Sequence, residues 1–236
     1  MKILATLIFL LPFLSLRAQF VINDPNAEIR NVTSSFSSIE VSNAIVVVLT
    51  KGTSNQIAVS NSKPENIPSI KTEITNGVLH IYYQSPSFRI RNSGNMKVYV
   101  AYTNLNSLKA SGASVVTFTD KFRGDQLNID LSGASELKGD MEADRLIVKL
   151  TGASLARLSG KTNELQLNSS GASDFKSPGL STESCIADIS GASDADVTVT
   201  NSLKVKASGA SDFNYRGNPL KTQIEKSGSS DVSSKN

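Results

Sequence analysis

One short phrase is written seven times along this chain: ASGAS, LSGAS, LTGAS, SSGAS, ISGAS, ASGAS and KSGSS, centred on Gly112, Gly133, Gly152, Gly171, Gly191, Gly209 and Gly228. The intervals are 21, 19, 19, 20, 18 and 19 residues. A period near 19 is too short for a helix pair and far short of the roughly 40 residues of a propeller blade, but it fits one coil of a β-solenoid. A left-handed hexapeptide solenoid would hold strict coils of about 18 residues. The wandering intervals favour a right-handed parallel β-helix of about seven coils.

Counting from each glycine, positions −2, −4 and −6 are mostly apolar: Leu131, Ile129 and Leu127 in one coil, Leu150, Val148 and Leu146 in the next. Position −3 between them holds Lys109, Asp130, Lys149, Asn168, Asp188, Lys206 and Glu225. Alternation of period two describes a strand with one buried face, and stacked coils place like positions ~4.8 Å apart. Cys185 occupies a −6 column otherwise rich in Leu, so this lone cysteine reads as a small core residue. The phrase itself is the corner: glycine supplies backbone angles closed to other residues, and Ser hydroxyls can bond backbone or the Ser of the next coil. An apolar side chain returns at +4, as in Leu137 and Phe175, and opens a second strand.

Upstream, IEVSNAIVVVL, QIAVS, SIKTEI, VLHIYY and KVYVAY read as strands without the phrase. They predict a β layer over residues 32–108 that caps the solenoid of 109–236, the two forming one all-β domain, 32–236. FSSIEVSNAIVVVLTKGTSNQIAVS with ITNGVLHIYY and the serial SGAS phrases resembles the bacterial family called putative auto-transporter adhesin, head GIN domain. The resemblance implies a β-helical exported protein and brings no catalytic residues with it. No lipid-anchor cysteine and no membrane-spanning barrel accompany the pattern, which departs from an autotransporter.

Residues 1–18, MKILATLIFLLPFLSLRA, have the grammar of a secretory signal peptide cleaved after Ala18, with a flexible segment 19–31 behind it. Their apolar run falls short of the ~20 residues of a bilayer span, so no membrane span is expected after cleavage. Loss of Lys2 and Arg17 leaves 22 basic against 21 acidic residues, a balance that gives nucleic acid no electrostatic hold. The expected location is outside the cytoplasm: periplasm, cell surface or medium.

Chemistry is sparse. His80 is the only imidazole, so the many serines lack a partner base, and no cofactor is expected. Four coils align Asp174, Asp194, Asp212 and Asp231 at +3, an oxygen-ligand column that could bridge calcium or simply cap turns in water. Asp130, Lys149, Asp188 and Lys206 share the −3 column, where opposite charges can pair along the stack or, in a polysaccharide lyase or hydrolase, act on a glycan. The stretch QSPSFRIRNSGN, with Phe88, Arg89 and Arg91 next to Tyr82, is a candidate recognition loop. The reading that results is a non-enzymatic, exported adhesion or envelope module that meets a glycan or an envelope or host protein, with a carbohydrate-active enzyme as the alternative.

Overall fold

The computed structural model describes residues 22–84 and 94–235. The expected signal peptide and the loop residues Phe88, Arg89 and Arg91 lie outside the described residues. The N-terminal part holds β1 (Glu28–Arg30), β2 (Ser38–Val41), β3 (Val46–Lys51), β4 (Gln56–Asn61), a short 3-10 helix (Pro64–Ser69), β5 (Ile70–Thr75), β6 (Val78–Tyr83) and β7 (Met96–Tyr102). The repeat region follows as β8 (Ser107–Ala110), β9 (Val115–Phe118), β10 (Phe122–Leu131), β11 (Glu136–Leu150), β12 (Leu155–Ser169), β13 (Asp174–Ile189), β14 (Asp194–Ala207), β15 (Asp212–Arg216), β16 (Lys221–Lys226) and β17 (Asp231–Ser234).

Pairing from β8 onward is parallel, and offsets from −7 to −2 and from +3 to +6 meet the same offset in the next coil. The −6 column runs Leu127, Leu146, Leu165, Cys185, Leu203, all at most 1% exposed, and full burial of each Leu contributes roughly 1.5–3 kcal/mol. Burial pushes the Cys185 thiol up to about 12, so it packs as an apolar group and not as a thiolate. In the last coil Thr222, Ile224 and Lys226 stand at interior offsets and all three are exposed, so polar side chains flank a single apolar one at this end.

The glycine corner is a backbone ladder. Gly171 has φ +85°, and a Cβ there would lie 2.6 Å from the Gly152 carbonyl oxygen below. That carbonyl accepts instead from the Ala172 N–H at 2.8 Å, a bond repeated from coil to coil. The Ser at +2 is buried in six coils, and its hydroxyl mostly donates to its own corner's carbonyl, as in Ser173 to Ser170 at 2.8 Å. The alternative of Ser-to-Ser bonds between coils is not adopted, because the backbone acceptor three residues back is nearer.

A second bend lies at −8. Asp125, Asp144, Asn163 and Glu183 have no partner in the parallel ladders, which step from −9 to −7. Buried Thr at −9 fastens it: the Thr182 hydroxyl donates to the Ser184 carbonyl at 2.8 Å, and Thr162 bonds the Glu164 carbonyl at 3.0 Å. Variation in coil length is absorbed mainly before this bend, where the pairing of β12, β13 and β14 shifts register around Ser177–Ser181, and between β13 and β14 also at the bend, from Thr182 to Ser184.

The N-terminal layer caps the solenoid and also extends it. β2 and β3 stack in parallel on β8 and β9, with Ile39 on Leu108 and Val41 on Ala110, so IEVSNAIVVVL is itself a coil. Its corner is Ser42–Asn43–Ala44, with Asn43 at φ 65° in place of glycine. β6 and β7 then stack on the far side of β2 and β3, leaving the first-formed coil between two later ones. Antiparallel β4 and β5 cover this end, and β1 covers β4. Part of the segment expected to be flexible is therefore strand, held also by Arg30 Nη2 donating to the Ile67 carbonyl at 3.1 Å.

Candidate functional site

The added N-terminal coils lengthen the −3 column. His80 on β6 faces Glu40 on β2, which faces Lys109 on β8, which faces Asp130 on β10, followed by Lys149, Asn168, Asp188, Lys206 and Glu225. Charges alternate in sign along most of this row. His80 Nδ1 lies 3.3 Å from Glu40 Oε2, Lys109 Nζ donates to Glu40 Oε1 at 2.9 Å, and Lys206 Nζ lies 3.6 Å from Glu225. The hydrogen bond from Lys109 holds the Glu40 carboxyl below its ordinary value, and the same bond raises the Lys109 ammonium. Both groups move away from neutrality, opposite to the tuning a general acid or base requires.

At the N-terminal end of this row the corner Ser42–Asn43, His80, Lys109, Asp130 and Tyr82 line an open groove of about 470 Å³. Of the expected recognition residues Tyr82, Phe88, Arg89 and Arg91, only Tyr82, on β6 beside the loop, is among the described residues, and it stands on the groove wall; a hydrogen bond to Glu73 raises its phenol. Two serines of this groove bond elsewhere than the imidazole: Ser42 Oγ donates to Asn43 Oδ1 at 2.9 Å and Ser111 Oγ to the Val41 carbonyl at 3.3 Å. Sequence reading placed His80 alone. The signal for Glu40 is the placing of Ile39, Val41 and Val47 at −4, −2 and +4 from Asn43, offsets that are apolar around most corner glycines.

The +3 column forms as expected, with Asp174, Asp194, Asp212 and Asp231 paired in register on successive coils. Burial and then the charges of Asp174 and Asp212 raise the Asp194 carboxyl above its ordinary value. Lys176 Nζ meets Asp174 at 3.0 Å and Lys226 Nζ meets Asp231 at 3.4 Å, so cations serve the two outer members of the column. Among the described residues no three His, Cys, Asp or Glu side chains converge closely enough to hold a metal ion. The described residues also contain no helix long and apolar enough to cross a membrane.

Solved structures share this architecture. A Bacteroides fragilis protein described as a putative adhesin aligns over 89% of this chain and 98% of its own, with 19% identity and a TM-score of 0.76. A Parabacteroides distasonis protein described as a putative adhesin aligns over 88% and 96%, at 17% identity and a TM-score of 0.68. A second P. distasonis protein, described as a putative lipid binding protein, aligns over 90% and 98%, at 16% identity and a TM-score of 0.67. No curated protein matches the chain. The family model described as putative auto-transporter adhesin, head GIN domain, matches residues 35–219, from just before the Asn43 coil to just past the sixth glycine coil, and the chain belongs to that family.

Proposed function

We propose that the protein is an exported, non-enzymatic module of the cell envelope or cell surface, which acts by binding through its solenoid faces. The observation that carries this reading is the −3 row, in which charge alternates in sign along most of the stack, is paired at its two ends by Glu40 with Lys109 and Lys206 with Glu225, and leads into the groove beside Tyr82. Such a row offers many shallow polar contacts at regular spacing, suited to an extended glycan or a neighbouring protein. Its best-defined pair is tuned away from proton transfer, which supports binding over catalysis. The adhesin descriptions of relatives in this fold agree with the reading.

Protease accessibility on intact cells, with a periplasmic marker and lysed cells as controls, tests it. Digestion on intact cells supports a surface role and directs the search to external ligands. Protection until lysis supports an interior envelope role and removes the adhesin description. Recovery wholly in the cytoplasm overturns the proposal, and so does release of reducing ends from a glycan by the purified protein.

A further inference from the structure

The second bend builds a groove that runs along the solenoid axis, apart from the one beside Tyr82. Its floor is the −9 row of small or buried residues, Gly124, Ala143 and Thr162, which stack directly on one another. One wall is the −10 row, where Glu142 lies 3.4 Å from both Arg123 and Lys161. The other is the −8 row, where Asn163 Nδ2 donates to Asp144 Oδ1 at 3.0 Å and Asp125 and Glu183 stand above and below. This stretch encloses about 450 Å³. It meets, at Arg123, Gly124 and Asp125, a further depression of about 610 Å³ reaching Asn104, Asn106 and Lys51.

The lining selects among partners. Protein interfaces concentrate aromatic and aliphatic side chains and exclude charge from their centres, whereas here a floor of small residues lies between walls of amide, carboxylate, guanidinium and ammonium groups. Four carboxylates, Asp125, Glu142, Asp144 and Glu183, against Lys51, Arg123 and Lys161 disfavour a polyanion. Sugar hydroxyls both donate and accept, so they can bond carboxylate and amide oxygens on one wall and N–H groups on the other without disturbing the existing pairs. Equivalent polar positions recur every ~4.8 Å along the axis, close to the advance of an extended glycan per sugar, so successive coils can meet successive sugars.

We propose that this second-bend groove holds a single extended, neutral polysaccharide chain lying along the solenoid axis. The proposal rests on the binding-module reading above and supplies its ligand class and place. Affinity electrophoresis of the purified protein through gels containing dextran, laminarin, xylan or hydroxyethylcellulose tests it. At least one should retard the wild type, and Asp144→Ala/Asn163→Ala/Glu183→Ala should weaken retardation by about tenfold or more. Glu65→Ala, an exposed position on the 3-10 helix away from the groove, should leave it unchanged. Asp144→Arg, which intrudes from an exposed wall, gives an independent loss if the triple variant misfolds. Retardation by none of the four, or retardation that the second-bend variants keep, overturns the proposal. Either result leaves the surface-module reading to the protease experiment, which can fail on its own while polysaccharide binding persists.

Discussion

Each coil changes direction at a glycine corner and again at the −8 bend, and the two are built on opposite principles. The corner is made of backbone stacked on backbone: positive φ at the glycine, a carbonyl below it at contact distance, and an N–H closing on that carbonyl. The −8 bend is made by skipping one residue in the ladder and fastening the turn from inside with Thr hydroxyls. At the first, a Cβ would collide with the carbonyl of the coil below in the repeat region, so glycine recurs there and only the N-terminal coil substitutes Asn43. At the second, the skipped residue projects into solvent and is Asp, Asn or Glu in turn. The difference teaches where this scaffold can vary: the corner carries the stack, and the bend is free to carry chemistry.

The comparison breaks most readily at the corner. Gly171→Ala adds a Cβ 2.6 Å from the Gly152 carbonyl oxygen as well as straining a φ of +85°. Strain of about 1–2 kcal/mol and overpacking of about 1–3 kcal/mol should together cost about 2–5 kcal/mol in denaturant unfolding. Gly77, in the hairpin between β5 and β6, has φ +75° but nothing within 4 Å of its Cβ position. Gly77→Ala should therefore lose only the strain, about 1–2 kcal/mol. Equal losses at the two sites would show that the stacked carbonyl matters little and that the ladder is not what demands glycine.

At the bend, Thr182→Val keeps the shape and removes the hydroxyl that donates to Ser184, so a loss of about 1 kcal/mol is expected by the same measurement. Asn163→Ala breaks a hydrogen bond to Asp144 between exposed groups and should stay within about 0.5 kcal/mol. A loss at Asn163 as large as that at Gly171 would mean that the −8 side chains hold the bend themselves, and the contrast would collapse.

The same contrast explains how much of the molecule can be read from its sequence. The glycine corners, the −2, −4 and −6 core columns and the burial of Cys185 were legible because backbone geometry forces a recurring residue or a strict alternation. The bend left a fainter mark. Positions −8 and −7 are both polar in Asp144–Arg145 and Asn163–Glu164, two outward residues in succession where alternation calls for one inward. The N-terminal coil was missed because Asn43 does the work of glycine, and its insertion between β6–β7 and β8–β9 is a matter of long-range pairing that local pattern does not encode. The −3 row was legible as a column of alternating charge, but pairing between Asp130, Lys149, Asp188 and Lys206 themselves does not form, and Glu40 and His80 joined the row only once that coil was placed.

The smallest effects should arise on the side chains flanking the glycine corner, where charge and not backbone is at stake, and they should carry opposite signs. Asp194 has its carboxyl raised above 3.8 in the folded protein, so the folded state holds that proton more tightly than the unfolded chain. Wild-type stability therefore falls as pH rises from 3.8 through the raised value. Asp194→Asn should lift the melting temperature slightly at pH 7, and the gain should vanish in acid. Glu40 is the reverse: its carboxyl is lowered from 4.5 by the Lys109 bond, so its contribution is complete above 4.5 and is lost as pH falls through the lowered value. Glu40→Gln should lower the melting temperature slightly at pH 7 and converge on wild type in acid. Salt should shrink both differences, since both groups reach water. Thermal unfolding across pH 3–7 reads out the pair, and a destabilising Asp194→Asn would overturn the like-charge account of the +3 column. If millimolar calcium raises the wild-type melting temperature and Asp194→Asn abolishes that rise, the column belongs to a bridging cation, and the corner too carries chemistry beside its fixed backbone.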